Sequence, residues 1–171
     1  MSDTKTPVTN DLNKLFDKIK DVRMAMLTTF DEQNNLHSRP MATIRPEADG
    51  SLLFLTDAHS AKVYELNKDS KVNLSYADPS ANVYVSVSGT ANAYRDAAKA
   101  AELYTEPMRA WFPKGKDDPN IMILKVTITQ GEYWDTPSSV LSQAFGYARA
   151  VVTGEASKDD DVNQHAQVVV K

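Results

Sequence analysis

Thr56, Ser60 and Lys62 fall within one short stretch, "TDAHSAK", and together they offer two hydroxyls and an ammonium. The apolar run before Thr56 reads as a strand, and the polar residues after it lead into a helix that starts near Ser60. Helix N-termini carry a partial positive charge and favour acidic side chains. This first turn instead holds Lys62, with His59 just before it and no acid until Glu65. A strand-end hydroxyl, a hydroxyl at a helix cap, a first-turn ammonium and free backbone N–H groups can all face one point. Such a point binds an anion, and a phosphate is its natural occupant. On these residues alone, a Ser60 that merely caps the helix and a solvated Lys62 explain the pattern equally well.

The preceding segment, "LHSRPMATIR" over residues 36–45, bears on that choice. As a strand it puts Arg39, Met41 and Thr43 on one face and Pro40, Ala42 and Ile44 on the other. Arg39 offers a second cation to an anion held at the neighbouring strand's end, and Arg45 at the strand exit offers another. Proline and the small Ala42 let a flat ring approach closely. The plainer alternative is an edge strand with a solvated arginine. Trp134, in "GEYWDTP" at the end of the last strong strand, either covers a ligand ring or an interface or packs in the core. Trp111 and Phe112 in "MRAWFP" read as anchors of a helix against the sheet.

Other chemistries find little support. The chain of 171 residues has no cysteine, which excludes disulfides, thiolate metal sites and cysteine nucleophiles. His37, His59 and His165 are scattered and none falls in a ligand pair such as HExxH. No GxSxG elbow, P-loop or GxGxxG turn occurs. A formal net charge of −4 argues against a nucleic-acid partner. No segment approaches the roughly 20 apolar residues that span a bilayer, and the N-terminus lacks a signal-peptide core, so a cytoplasmic protein is expected.

The elements that must position these residues can be read from periodicity. Residues 11–20 place Leu12, Leu15, Phe16 and Ile19 at helical spacing, a stripe for core packing. Strands are expected at 23–30, 36–45, 51–56, 71–78, 83–94 and 121–134, with Pro40 at an edge or bulge and Gly89 at a bulge or bend. Helices are expected at 60–67, from 95 onward with an interruption at Pro107, and at 138–152. About six antiparallel strands with peripheral helices make a mainly β, α+β domain, a small closed or partly closed barrel. One domain, residues 1–155 with the C-terminal helix, is followed by a polar, mobile tail over 156–171.

The order of "RMAMLTTFDEQNNLHSRPMA", "SLLFLTDAHSAKVYEL", "KVNLSYADPS", "VYVSVSGTANAY", a long helix and "EYWDTP" resembles the pyridoxamine 5′-phosphate oxidase-like flavoproteins, in particular their general stress protein 26 branch. The resemblance covers residues 12–137. It implies an FMN-binding split β-barrel and a homodimer with flavin at the subunit interface. It also implies that Arg39, Pro40, Met41 and Ala42 run beside the flavin ring and ribityl chain. Leu55 and Thr56 would then lie near the ribityl phosphate, Ser60, Ala61 and Lys62 would form the phosphate-binding turn, and Trp134 would reach the flavin from the partner subunit. The C-terminal stretch departs from the vitamin-processing oxidases: it has a single arginine, Arg149, where they carry an arginine- and tryptophan-rich substrate segment. Binding of FMN, or of FAD, is therefore expected more firmly than oxidation of pyridoxamine phosphate. The expected function is a flavin-dependent oxidoreductase acting on a small molecule in a stress response. The alternatives are a flavin carrier or sensor without turnover, and a barrel that holds haem or a deazaflavin.

Overall fold

A computed structural model describes residues 8–9, 12–135, 151 and 164–170. The chain runs β1 (Val8–Thr9), α1 (Leu12–Ile19), β2 (Met24–Phe30), β3 (Leu36–Ala42), β4 (Arg45–Pro46), β5 (Leu52–Asp57), α2 (Ala61–Lys68), β6 (Lys71–Asp78) and β7 (Val83–Tyr94). Then come α3 (Ala97–Leu103), two 3-10 turns (Glu106–Ala110 and Gly115–Asp117), β8 (Ile121–Asp135) and β9 (Gln164–Val169). The strands hydrogen-bond in the order β1-β9-β8-β7-β6-β2-β3, with β5 joined to β8 and β4 to β5. All described pairs are antiparallel except β1 with β9.

The sheet forks at β8. One edge of this 15-residue strand pairs with β7 along most of its length. Its other edge pairs with β5 over Ile121–Val126 and with β9 over Gln130–Asp135. β5 and β9 therefore share one edge of β8, one after the other. The bulge that lets β7 and β8 stay paired around the bend lies between Ser88 and Gly89. A Cβ at Gly89 would sit 2.1 Å from the Thr127 carbonyl oxygen, so only glycine fits there. The sequence reading of Gly89 as a bulge is thus borne out.

Inside the barrel, Leu15, Leu27, Phe54, Leu74, Val87 and Val126 are completely buried. Helix α1 closes one end, inserting Leu15 and Ile19 with Leu12 and Phe16 beside them. A second, smaller core lies between β5, β8, α3 and the 3-10 turns, built on Leu53, Leu103, Phe112 and Ile123. Strand β5 serves both cores because its side chains alternate: Leu52 and Phe54 face the barrel, Leu53 and Leu55 the smaller core. Thr56 continues the barrel-facing series and is 3% exposed.

Three expectations are corrected. The segment 36–45 is two strands, because β3 ends at Ala42 and the chain crosses to pair Arg45–Pro46 with β5. As expected, Pro40 lies on an edge strand at the end of the sheet, where its missing N–H costs nothing. The polar tail, expected to be mobile from 156 to the end, contains β9: Ala166 and Val168 are buried and the strand fills the edge of β8 that β5 leaves open. Backbone groups on that edge need partners, and the alternating "HAQVVV" supplies them. The third correction is the strand number, nine among the described residues rather than about six, the extra ones being β1, β4 and β9, while the mainly β barrel with peripheral helices is as expected. The expected helix at 138–152 lies outside the described residues except for Val151, which is helical. Among the described residues, no helix is long and apolar enough to cross a membrane.

Candidate functional site

Strand β5 delivers Thr56 to its C-terminal end, and the turn 57–60 leads directly into α2. There the Thr56 hydroxyl lies 3.2 Å from that of Ser60, and Lys62 Nζ donates to Thr56 Oγ1 at 3.1 Å. The three residues therefore meet at one point, as their spacing allowed. Ser60 is the N-cap of α2 by position, yet its side chain makes no capping hydrogen bond. Its hydroxyl faces Thr56 instead. Lys62 is not simply solvated either. Burial pulls its pKa below the usual lysine value and the nearby Arg39 charge adds to this, while the carboxylates of Asp57 and Glu65 act in the opposite sense. No acid stands in the first turn of α2. Two hydroxyls, a half-buried ammonium and a helix N-terminus converge there, a set of donors from which an anion can accept.

Arg39 reaches this region from β3. Its guanidinium is largely covered and donates to the Thr29 hydroxyl and, at 2.6 Å, to Glu65 Oε2. Glu65 also accepts from Thr29 at 2.6 Å and lies 3.3 Å from His37 Nδ1. Burial opposes the charge of Glu65, but hydrogen bonds from Thr29 and His37 together with the Arg39 charge outweigh it and hold the carboxyl below its ordinary range. Arg39 is thus fixed by a buried carboxylate on α2, one helical turn beyond Lys62, and it acts on the anion point through its field. Arg45 pairs with Glu47 and Glu102 on the surface.

Beside the anion point opens a cleft of about 280 Å³. Thr56, Asp57 and Lys62 line its polar part, and Pro40, Met41, Ala42 and Leu55 line an apolar part. Met24 from β2 and Met108, Trp111 and Phe112 from the first 3-10 turn and its exit complete it. Of the residues singled out in the sequence, Pro40, Met41, Ala42, Leu55, Thr56 and Lys62 come together in this one cleft. Ser60 joins through Thr56, and Ala61, exposed, is the first residue of α2. Trp134 does not join. Thr56 pairs with Met122 and Trp134 stands twelve residues later on the same strand, roughly 40 Å of extended chain away. It is partly exposed and pairs across the sheet with Tyr84 and His165.

Met24, Asp57, Met108 and Trp111 were not singled out for this cleft. The joint reading of Trp111 and Phe112 as anchors is corrected: Phe112 is buried in the smaller core, whereas Trp111 is 69% exposed. Adjacent residues at the end of a tight turn point in different directions, so the pair could not both anchor. Among the described residues no group of three or more acidic or histidine side chains is arranged to hold a metal ion.

Comparisons with known proteins place the fold and this site in context. The Neurospora crassa protein bli-3 is 28% identical over 163 residues, covering 90% of this chain and 78% of that protein. The solved structure of a candidate general stress protein 26 from Jannaschia sp. CCS1 superposes with a TM-score of 0.70 at 24% identity, covering 94% of this chain and 99% of the other, and so shares its fold. The general stress FMN/FAD binding protein of Xanthomonas citri superposes with a TM-score of 0.64 at 27% identity, over 75% of this chain and 91% of the other. The family described as pyridoxamine 5′-phosphate oxidase like matches residues 10–159, which include β2 to β8 and every element that lines the cleft. With the split barrel and the family match in agreement, the chain belongs to the pyridoxamine 5′-phosphate oxidase-like family.

Proposed function

We propose that this protein binds FMN, with the ribityl phosphate at Thr56, Ser60 and Lys62 and the flavin lying along Pro40, Met41, Ala42 and Leu55. The observation that carries the reading is the meeting of those three polar side chains at the mouth of an apolar cleft. The residues present suit such a ligand on chemical grounds. Ser60, at the N-cap, turns its hydroxyl to Thr56 rather than to the helix, and Lys62 is half-buried with no acid in the first turn of α2, an arrangement that favours a dianion over water. The apolar part of the cleft matches a flat, largely apolar ring. The name of the Xanthomonas citri relative, an FMN/FAD binding protein, supports flavin as the ligand class. A site built on Lys62 for a terminal phosphate favours FMN, a dianionic monoester, over FAD, whose ribityl phosphate is joined to a second phosphate by an anhydride and carries a single charge.

Bound flavin supplies two-electron and one-electron transfer, and the protein's part is to hold and orient it. The activity proposed is that of a flavin-dependent oxidoreductase on a small molecule. We further propose a homodimer in the cytoplasm in which Trp134 approaches the partner's flavin. Its distance along β8 from the cleft of its own chain supports that assignment, as do the exposed apolar side chains Met24, Met26, Tyr84 and Trp134. Titration of the purified protein with FMN tests the proposal: binding should perturb the visible flavin spectrum at one site per chain. A free-flavin spectrum at every protein concentration would contradict it.

A further inference from the structure

The cleft has a wall that the phosphate site does not explain. Met108 and Trp111 belong to the 3-10 segment Glu106–Ala110 and its exit, between α3 and β8. This segment is held by a set of local hydrogen bonds. Thr105 and Met108 cap its start, Arg109 grips Glu106 through two hydrogen bonds of 2.9 and 3.0 Å, and the amides of Trp111 and Phe112 both bond to the Met108 carbonyl at 2.9 Å. Phe112 is sunk into the smaller core beside Leu53 and Ile123. Gly115 then turns the chain with φ of +79°, with the Arg109 guanidinium packed 3.5 Å from where a Cβ would stand.

On this fixed frame Trp111 stays 69% exposed. An indole held out in water adds nothing to the core, yet its amide is bonded to the Met108 carbonyl and the next residue, Phe112, is buried. It borders the same cleft as Lys62 and Thr56, together with the thioethers of Met24 and Met108. Aromatic faces and thioether sulfurs are the groups that pack well against a polarizable flat ring. The polar part of the cleft fixes one end of a ligand by charge, and the tryptophan is placed to cover what extends from it.

We propose that Trp111 is the ring-binding residue of the cleft, its indole packing against the tricyclic ring of the flavin whose phosphate Lys62 holds. The proposal rests on flavin being the ligand and adds a residue that selects for the ring rather than the phosphate. Met108 lends an adaptable contact beside it. Trp111 is a binding residue, and no bond is made or broken by it.

Affinities of the 171-residue chain for FMN and for riboflavin, together with the fluorescence yield of each bound flavin, test this. Trp111→Ala should weaken both ligands by the same factor, about tenfold for a lost stacking partner. Trp111→Phe should restore most of the affinity but raise the fluorescence of the bound flavin, since an indole in contact quenches flavin emission and a phenyl ring does not. Matching thermal unfolding of the three proteins guards against a folding defect. If the wild-type protein binds FMN, and Trp111→Ala binds both flavins as tightly with unchanged quenching, the role given to Trp111 is wrong and the phosphate site stands. If the wild-type protein binds neither flavin, both proposals fall.

Discussion

At the scale of single residues, the geometry assigns separate tasks to two cations. Lys62 is half-buried and meets Thr56, while Arg39 is tied to Glu65 and contributes through its field. Spacing allowed Thr56, Ser60 and Lys62 to converge but fitted a capping Ser60 and a solvated Lys62 equally well, and it is the fold that brings the three together. The carboxylate that fixes Arg39 was not legible. Glu65 reads as an ordinary acid in the body of α2, and only the packing of α2 against β2 and β3 puts it under Arg39. That pairing predicts a pH signature. Folding lowers the Glu65 pKa from its ordinary 4.5, so the unfolded chain binds more protons as acidity rises through this window. The stability Glu65 contributes is complete above about pH 4.5 and is lost as pH falls through its lower folded value. Glu65→Gln leaves Arg39 covered and without its carboxylate and should cost about 1–3 kcal/mol at pH 7. Urea unfolding of both proteins from pH 7 to pH 3 should show the gap closing in acid, and a gap that is constant with pH would contradict the pairing.

At the scale of elements, the fork at β8 decides where the cleft can be. β5 pairs with the first half of β8 and stops at Asp57, so its end, and the hydroxyl of Thr56, open beside the start of α2. Most strands were legible from alternation, β6 and β7 to the residue, because each has one buried face. The bulge at Gly89 was legible because glycine interrupts an otherwise regular pattern. A methyl group there would meet the backbone oxygen of Thr127, an atom that cannot swing aside. Gly89→Ala should therefore destabilise the fold by about 1–3 kcal/mol, as read from the urea midpoint, and an unchanged midpoint would show that the β7–β8 pair can shift register. The strand β9 was missed because its neighbours in sequence, "EASKDDD", carry the composition of a solvated tail. Its signal was the alternation of Ala166 and Val168 with polar residues, too short to outweigh that context. The 3-10 segment was missed as a wall of the cleft for a related reason: its residues carry no periodicity.

At the scale of the whole molecule, the barrel was legible from the order of its strands, whereas assembly lies beyond a single chain. Met24, Met26, Tyr84 and Trp134 are each more than a third exposed, a pattern that suits a surface covered by a second copy. Sedimentation should give a mass twice the 18.9 kDa of the chain, and FMN should bind less tightly once the protein is diluted below its dimer dissociation constant. A monomer at all concentrations that binds FMN with undiminished affinity would overturn the shared site. The central claim, that the strand-end cluster holds the phosphate of FMN, is tested most directly by one ratio. It is the affinity for FMN over that for riboflavin, measured calorimetrically for the wild-type protein and for Lys62→Ala. Loss of a charged hydrogen bond to phosphate should lower the FMN affinity roughly ten- to hundredfold and leave riboflavin nearly unchanged, so the ratio collapses. A ratio that Lys62→Ala does not alter would contradict the account.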